Sequence, residues 1–228
     1  MRILIVGKNS FLVKNHLIKI PGSTYRLISH KEIDKYDLNQ FNYIINFSID
    51  PRFYYEKYNK AYDTNFKIIN KINLKRNITK FIMMSSGTVY GNFKGKPFTE
   101  RSKINPNSTY GKNKMMSERY LQKKLNEYMI LRIPNIIEKN IKKDKINFFD
   151  ELKKNFQKKE LIFNFNIYSK RDFITAEYFW GNINKLMIND FTGIVNLSSG
   201  IGISVKEICN VLIKLKKDLK IKINNNTI

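Results

Sequence analysis

Cysteine occurs once in these 228 residues, at Cys209, and histidine only at His16 and His30. A lone thiol excludes an internal disulfide, which suits a reducing compartment, and packing is its expected role. Two histidines, with no Cys/His pair at ligand spacing, leave no conventional metal cluster. Long apolar runs are also missing. Ile3–Val6 is far too short for a signal peptide or a membrane span, and no other run could cross a bilayer. A soluble, cytoplasmic protein without a membrane partner is expected. There are no internal repeats, and no Gly/Ser-rich linker separates domains.

Acidic residues are scarce: 19 Asp and Glu face 42 Lys and Arg, a formal charge of +23. Such an excess invites a nucleic-acid reading. The lysines are spread throughout, however, and Ile and Asn are equally over-used, which points to codon bias. The densest runs, Lys139–Lys145, Lys153–Lys159 and Lys214–Lys222, carry no aromatics spaced as a stacking platform. Specific nucleic-acid binding is therefore not expected, although the charge should attract anions, diphosphates included.

What is present alternates strand and helix, as a parallel sheet requires. The patterning predicts strands near 2–6, 24–29, 42–48, 79–85, 128–133 and 193–197. Helices are predicted over 11–19, 54–75, 109–126, 147–158, 175–187 and 204–217. Strands that read as continuous apolar runs need cover on both faces. The expected fold is α/β, a doubly wound parallel sheet of the Rossmann type with a small C-terminal substrate-binding lobe. The core should span 1–135 and the substrate region 136–228, with about 171–197 returning to the core.

The chemistry concentrates in Ser85-Ser86-Gly87-Thr88-Val89-Tyr90-Gly91 and Tyr110-Gly111-Lys112-Asn113-Lys114. Positions i and i+4 share a helix face, so the Tyr110 phenol and the Lys114 ammonium can enter one site. A neighbouring ammonium is expected to pull the phenol down from its usual ~10. Ser86, at the end of an apolar strand, could hydrogen-bond a substrate oxygen beside it. Ser86, Tyr110 and Lys114 are the candidate catalytic residues.

Together with Pro97-Phe98-Thr99-Glu100, Pro106-Asn107-Ser108-Thr109 and Ser117-Glu118, these segments resemble the extended short-chain dehydrogenase/reductase family of nucleotide-sugar epimerases, dehydratases and reductases. The resemblance covers almost the whole chain. Arg2–Gly7 looks like the opening strand and first glycine. Phe41–Ser48 resembles the fourth strand, whose tip lies over the cofactor. Asn65 falls where the family places a helical asparagine. Leu131–Asn135 matches the sixth strand and a substrate asparagine, Lys170–Ile174 the Arg-Asp-Phe/Tyr-Ile segment, and Val195–Gly200 with Ser204–Ile208 the late Asn-x-x-x-Gly and helix-opening serine.

The resemblance implies a bound dinucleotide contacted by Gly7, Ser10, Phe11, Leu12, Ser29, His30, Lys31, Asn46, Phe47, Ser48, Tyr110, Lys114 and Pro134. It also implies a nucleotide-diphosphate sugar contacted by Ser86, Thr88, Tyr110, Asn135 and Arg171. Family members often dimerise through a helical bundle that would include 109–126. The glycine loop departs from the pattern: Gly-x-x-Gly-x-x-Gly falls on Gly7, Ser10 and Val13. Weakened rather than lost binding is expected, because a helix N-terminus still attracts phosphate. Ser29-His30-Lys31 stands where an NAD enzyme usually has an acid, so NADP is favoured over NAD.

Gly87-Thr88 replaces the Asp-Glu pair of the family's 4,6-dehydratases, and no Cys/His pair serves a fucose-type epimerase-reductase. A 4-keto-sugar reductase, slightly favoured, or a 4-epimerase remains. The family's last segment, with its second phosphate-binding arginine, is not found after Lys222, and Glu177-Tyr178 keeps one of two paired acids. Part of the substrate pocket is then expected to be missing or supplied by another subunit. The alternative is an inert binding or regulatory protein with a decayed glycine loop.

Overall fold

The computed structural model describes residues 1–72, 79–92, 97–137, 148–163 and 166–224. In chain order the elements are β1 (Arg2–Val6), α1 (Phe11–His16), β2 (Thr24–Ile28), β3 (Tyr43–Asn46), α2 (Thr64–Ile69), β4 (Lys80–Ser86), α3 (Thr109–Lys124), β5 (Tyr128–Ile133), β6 (Asn135–Ile137), α4 (Phe148–Gln157), β7 (Glu160–Phe163), β8 (Lys170–Thr175), α5 (Ala176–Ile188), β9 (Gly193–Asn196), β10 (Gly202–Ser204), α6 (Val205–Leu215) and β11 (Lys220–Ile223). They divide into two compact units. The first holds Met1–Pro134 and Ala176–Ser198, the second Asn135–Thr175 and Ser199–Ile228.

The first unit is built on a six-stranded sheet in the order β2-β1-β3-β4-β5-β9. Every pairing in it is parallel. Parallel strands are buried on both faces, and Ile3 to Val6, Ile44, Ile45 and Phe81 to Met83 have no exposed surface. The chain leaves β1 for β2 on one side and returns to β3 on the other, with Val6 facing both Ile28 and Asn46. That reversal opens a crevice at the carboxyl ends of β1 and β3, where ligands bind in open α/β sheets. The mostly parallel sheet with flanking helices is the Rossmann-like fold expected.

The helix expected over 54–75 is not one helix. Asp50 caps a 3₁₀ turn at Pro51–Tyr54, and α2 begins only at Thr64, where Asp63 accepts from the Asn65 N–H. Between them the Asn59 side chain accepts from Ala61 N, an Asx turn that competes with helix. Residues 73–75 of that expectation lie outside the described residues. So do residue 147 of the helix predicted over 147–158, the Lys139–Lys145 run and the tail from 225.

The second unit carries an antiparallel–parallel sheet, β10-β8-β6, and a parallel pair, β11-β7. Leu152, Leu161, Phe163, Ile167, Val205, Cys209 and Leu219 form its apolar cluster. Cys209 has no exposed surface there. No helix among the described residues is long and apolar enough to cross a membrane.

Candidate active site

Helix α3 starts where Ser108 accepts the Gly111 N–H at 3.1 Å, satisfying one of the four orphan donors of a helix start. Its inner face buries Gly111, Asn113, Lys114, Ser117, Glu118 and Leu121. Gly111 is needed there, because a Cβ would meet the Thr88 carbonyl oxygen at 2.7 Å. The helix therefore lies directly on the turn that follows β4, and the Tyr110–Lys114 side approaches the end of that strand.

A cleft of about 210 Å³ opens at this point in the first unit. Of the predicted residues, Ser10, Phe11, Leu12, Asn46, Phe47, Ser48, Tyr110 and Lys114 line it. Tyr54, Met84, Ser85 and Ile133 complete the wall with Ile49. Ser86 stands next to that wall, its hydroxyl accepting from Thr88 N at 3.2 Å and Thr88 Oγ1 at 3.1 Å. Gly7, Ser29, His30, Lys31, Thr88 and Pro134 of the first unit do not line the cleft. Asn135 and Arg171 belong to the second unit. There Asn135 donates to the Asp172 carbonyl at 3.3 Å, and Arg171 in β8 pairs with Ile203 in β10.

The expected lowering of the Tyr110 phenol by Lys114 is not found. Burial pushes Tyr110 up to about 12. The Lys114 Nζ sits 5.6 Å from the centre of the Tyr110 ring, over its face, and donates to the Met84 carbonyl at 2.8 Å. An ammonium over the ring is a cation–π contact that does not single out the ionised phenol. Lys114 itself is lowered to about 8 by burial, against the opposing charges of Asp63 and Glu118. The Tyr54 ring covers the tyrosine in a parallel stack, centroids 4.9 Å apart.

Two buried polar networks hold this arrangement. Asp63 accepts from Ser117 Oγ at 2.5 Å and Tyr58 OH at 2.9 Å. Through Asn65 it reaches Asn46 Nδ2, whose own Oδ1 accepts the Ser48 N–H at 2.9 Å. The second network joins Glu118 to Arg132 at 2.7 Å, with both side chains almost wholly buried. Ser85 donates to Glu118, and Arg132 donates to Tyr90 OH at 2.8 Å. The Tyr90 hydroxyl in turn reaches Asn196. Sequence alone does not pair Glu118 with Arg132, since no local signal marks a contact between a helix and a strand beneath it. Glu32 carries a signal that sequence reasoning missed: Ser29-His30-Lys31-Glu32 fits the Ser-x-x-Glu capping box. Its carboxylate accepts Ser29 N at 2.7 Å and pairs with Lys8 at 2.9 Å.

Residues 24–178 match the NAD dependent epimerase/dehydratase family. The protein named "Putative UDP-glucose 4-epimerase" of Methanocaldococcus jannaschii is 31% identical over 173 residues, 68% of this chain and 54% of that protein. The match thus spans about half the length of that curated relative. Among solved structures, a UDP-N-acetylglucosamine 4-epimerase from Methanobrevibacter ruminantium aligns with a TM-score of 0.78 at 17% identity, covering 98% of this chain and 84% of that one. The Thermus thermophilus UDP-glucose 4-epimerase, solved in complex with NAD, gives 0.74 at 14%, covering 98% and 86%. This chain belongs to the NAD dependent epimerase/dehydratase family.

The cleft suits the dinucleotide of such a family on two counts. Ser10 Oγ, in its wall, is buried with no hydrogen-bond partner, a donor held ready for an acceptor. Gly7, at φ +101°, lets the turn after β1 pass where a Cβ would stand 2.9 Å from Ser48 N.

Proposed function

We propose that this chain is an NAD(P)-dependent nucleotide-sugar oxidoreductase working at C4, foremost as a 4-keto-sugar reductase. One observation carries the reading: Tyr110 and Lys114 share a cleft wall with Ser10, Asn46, Phe47 and Ser48 at the β1/β3 crevice. Gly7, Ser10, Phe11 and Leu12 would hold the pyrophosphate turn, Asn46 to Ser48 and Pro134 the nicotinamide end, and Ser29 to Lys31 the adenosine ribose. When bound, the dinucleotide supplies the hydride delivered to C4. Tyr110, kept protonated by burial, gives its Oη proton to the C4 oxygen, so that a ketone becomes an alcohol. Lys114, whose ammonium lies over the Tyr110 ring, would hold the nicotinamide ribose, and Ser86 with Thr88 would orient the oxygen. Asn135 and Arg171 would bind the sugar-nucleotide diphosphate, for which a guanidinium has the right fork.

NADP is favoured over NAD. Glu32, the nearest acid after β2, is already committed to Ser29 N and Lys8, and His30 and Lys31 add basic groups. A 4-epimerase is the second reading, supported by the name of the 31% identical relative and by Gly87-Thr88. A homodimer through α3 belongs to the same proposal.

The test supplies NADPH or NADH with 4-keto and 4-hydroxy nucleotide sugars, following absorbance at 340 nm and C4 configuration by proton NMR. Net oxidation of NADPH, lost in Tyr110→Phe, supports the reductase. C4 inversion without net cofactor consumption supports the epimerase instead. A folded chain that binds neither cofactor and turns over no sugar would leave the inert protein with a decayed glycine loop in its place.

A further inference from the structure

The later glycines of the phosphate turn are absent, and the short helix that follows it is held by hydrogen bonds from α5. Helix α1 has only six residues, and Ser10 at its start makes no side-chain cap. Isolated helices far longer than this are marginal in water. Where the third glycine is expected stands Val13, buried between helix and sheet at 3% exposure. Glycine there normally allows close helix–strand packing.

Two side chains of α5 take hold of α1 and its exit. Trp180 Nε1 donates to the Leu12 carbonyl at 3.0 Å in a buried contact. Asn184 Nδ2 donates to the Ile18 carbonyl at 3.0 Å. Residues 180 and 184 are one turn apart on one face of α5, so one element holds the short helix near its start and the chain two residues past its end. Trp180, the only tryptophan in the chain, has no exposed surface. Its ring also lies 5.4 Å from that of Phe47, which lines the cleft beside Leu12. One side chain thus supports both sides of the crevice.

We propose that Trp180 and Asn184 are positioning residues for dinucleotide binding, a clamp from α5 that fixes the Gly7–Leu12 turn in place of the missing glycines. This rests on the dinucleotide reading of the cleft. The clamp predicts that the turn depends on a hydrogen bond from a helix some 170 residues away in sequence rather than on its own glycines. Phe at 180 keeps an aromatic ring but cannot donate to Leu12, and Ala at 184 cannot donate to Ile18.

The experiment compares the wild-type chain with Trp180→Phe, Asn184→Ala and the double variant. Ile183→Ala, which removes core volume from the same helix without touching either hydrogen bond, controls for lost packing. Two quantities are read: amide hydrogen exchange over residues 11–16 in the free protein, and Kd for NADPH and NADH by calorimetry. The clamp predicts about tenfold faster exchange at α1 and about tenfold weaker dinucleotide binding in the double variant, as loss of one to two net hydrogen bonds implies. Ile183→Ala should lower the unfolding temperature and leave Kd near wild type. Equal exchange at α1 and equal Kd in the wild type and the double variant would overturn the clamp alone. Faster exchange everywhere, matched by Ile183→Ala, would reduce both residues to ordinary packing and also overturn it. A wild-type chain that binds neither cofactor would overturn the dinucleotide reading, and the positioning role with it.

Discussion

Replacing Lys114 by Met should make the protein more stable near neutral pH, and the gain should vanish as pH rises. Burial lowers Lys114 from 10.5 to about 8. Below pH 8 the lysine is protonated in both the folded and the unfolded chain, and the folded chain bears the full cost of a buried ammonium. Between about pH 8 and 10.5 the unfolded chain still binds that proton while the folded chain has released it, so stability rises with pH across that window. At about 1.4 kcal/mol for each pH unit of the difference, the charge costs about 3 kcal/mol at pH 7. Methionine keeps much of the volume but loses the hydrogen bond to the Met84 carbonyl, worth about 1 kcal/mol. The net gain is therefore about 2 kcal/mol. Urea unfolding of Lys114→Met and wild type at pH 7 and pH 10 measures it, and taking the difference between the two proteins cancels every other titrating group. Lys114→Met that is less stable at pH 7, or a difference that does not change with pH, would refute the electrostatic account of this lysine.

Arg132→Met leaves Glu118 charged, buried and held only by Ser85. It should cost about 3–5 kcal/mol, whereas the double change Arg132→Met, Glu118→Leu recovers much of it; a denaturant double-mutant cycle reads both. Gly7→Ala must adopt φ +101° and push against Ser48 N, so it should lose about 1–3 kcal/mol and weaken dinucleotide binding, by calorimetry. Tyr54→Ala uncovers Tyr110 and should bring the phenol down from about 12, seen in carbon-13 tyrosine NMR assigned with Tyr110→Phe. An unchanged Tyr110 titration would mean that the stack contributes little to its burial.

The strands of the first unit were readable because burial on both faces leaves continuous apolar runs such as Ile3–Val6 and Phe81–Met84. Tyr110 and Lys114 were readable because helical spacing alone brings them to one face. The interior of 50–63 was not: Asp50, Asn59 and Asp63 each bind a backbone N–H two residues on and break a helix that the apolar pattern suggests. β11 alternates exposed lysines with isoleucines and β7 is four residues long, so neither carries a continuous apolar run. The direction of the Tyr110 shift is not legible in the sequence, because spacing gives the face of a side chain but not its angle. Lys114 approaches the ring rather than the hydroxyl, and desolvation then decides. The grip of Trp180 on Leu12 joins residues 168 apart, where no pattern reaches.

The proposed function requires the cleft beside Tyr110 and Lys114 to hold a dinucleotide despite Ser10 and Val13 in the glycine loop. A thermal-shift titration with NADPH, NADP, NADH and NAD, on wild type and Ser10→Glu, tests it most directly. A ligand that binds only the folded chain adds about 2.7 kcal/mol at a hundredfold excess over Kd. The account predicts a clear rise with NADPH or NADP, smaller with NADH and NAD, and abolished in Ser10→Glu, whose carboxylate would occupy the phosphate turn. No shift with any of the four at millimolar concentration would contradict it.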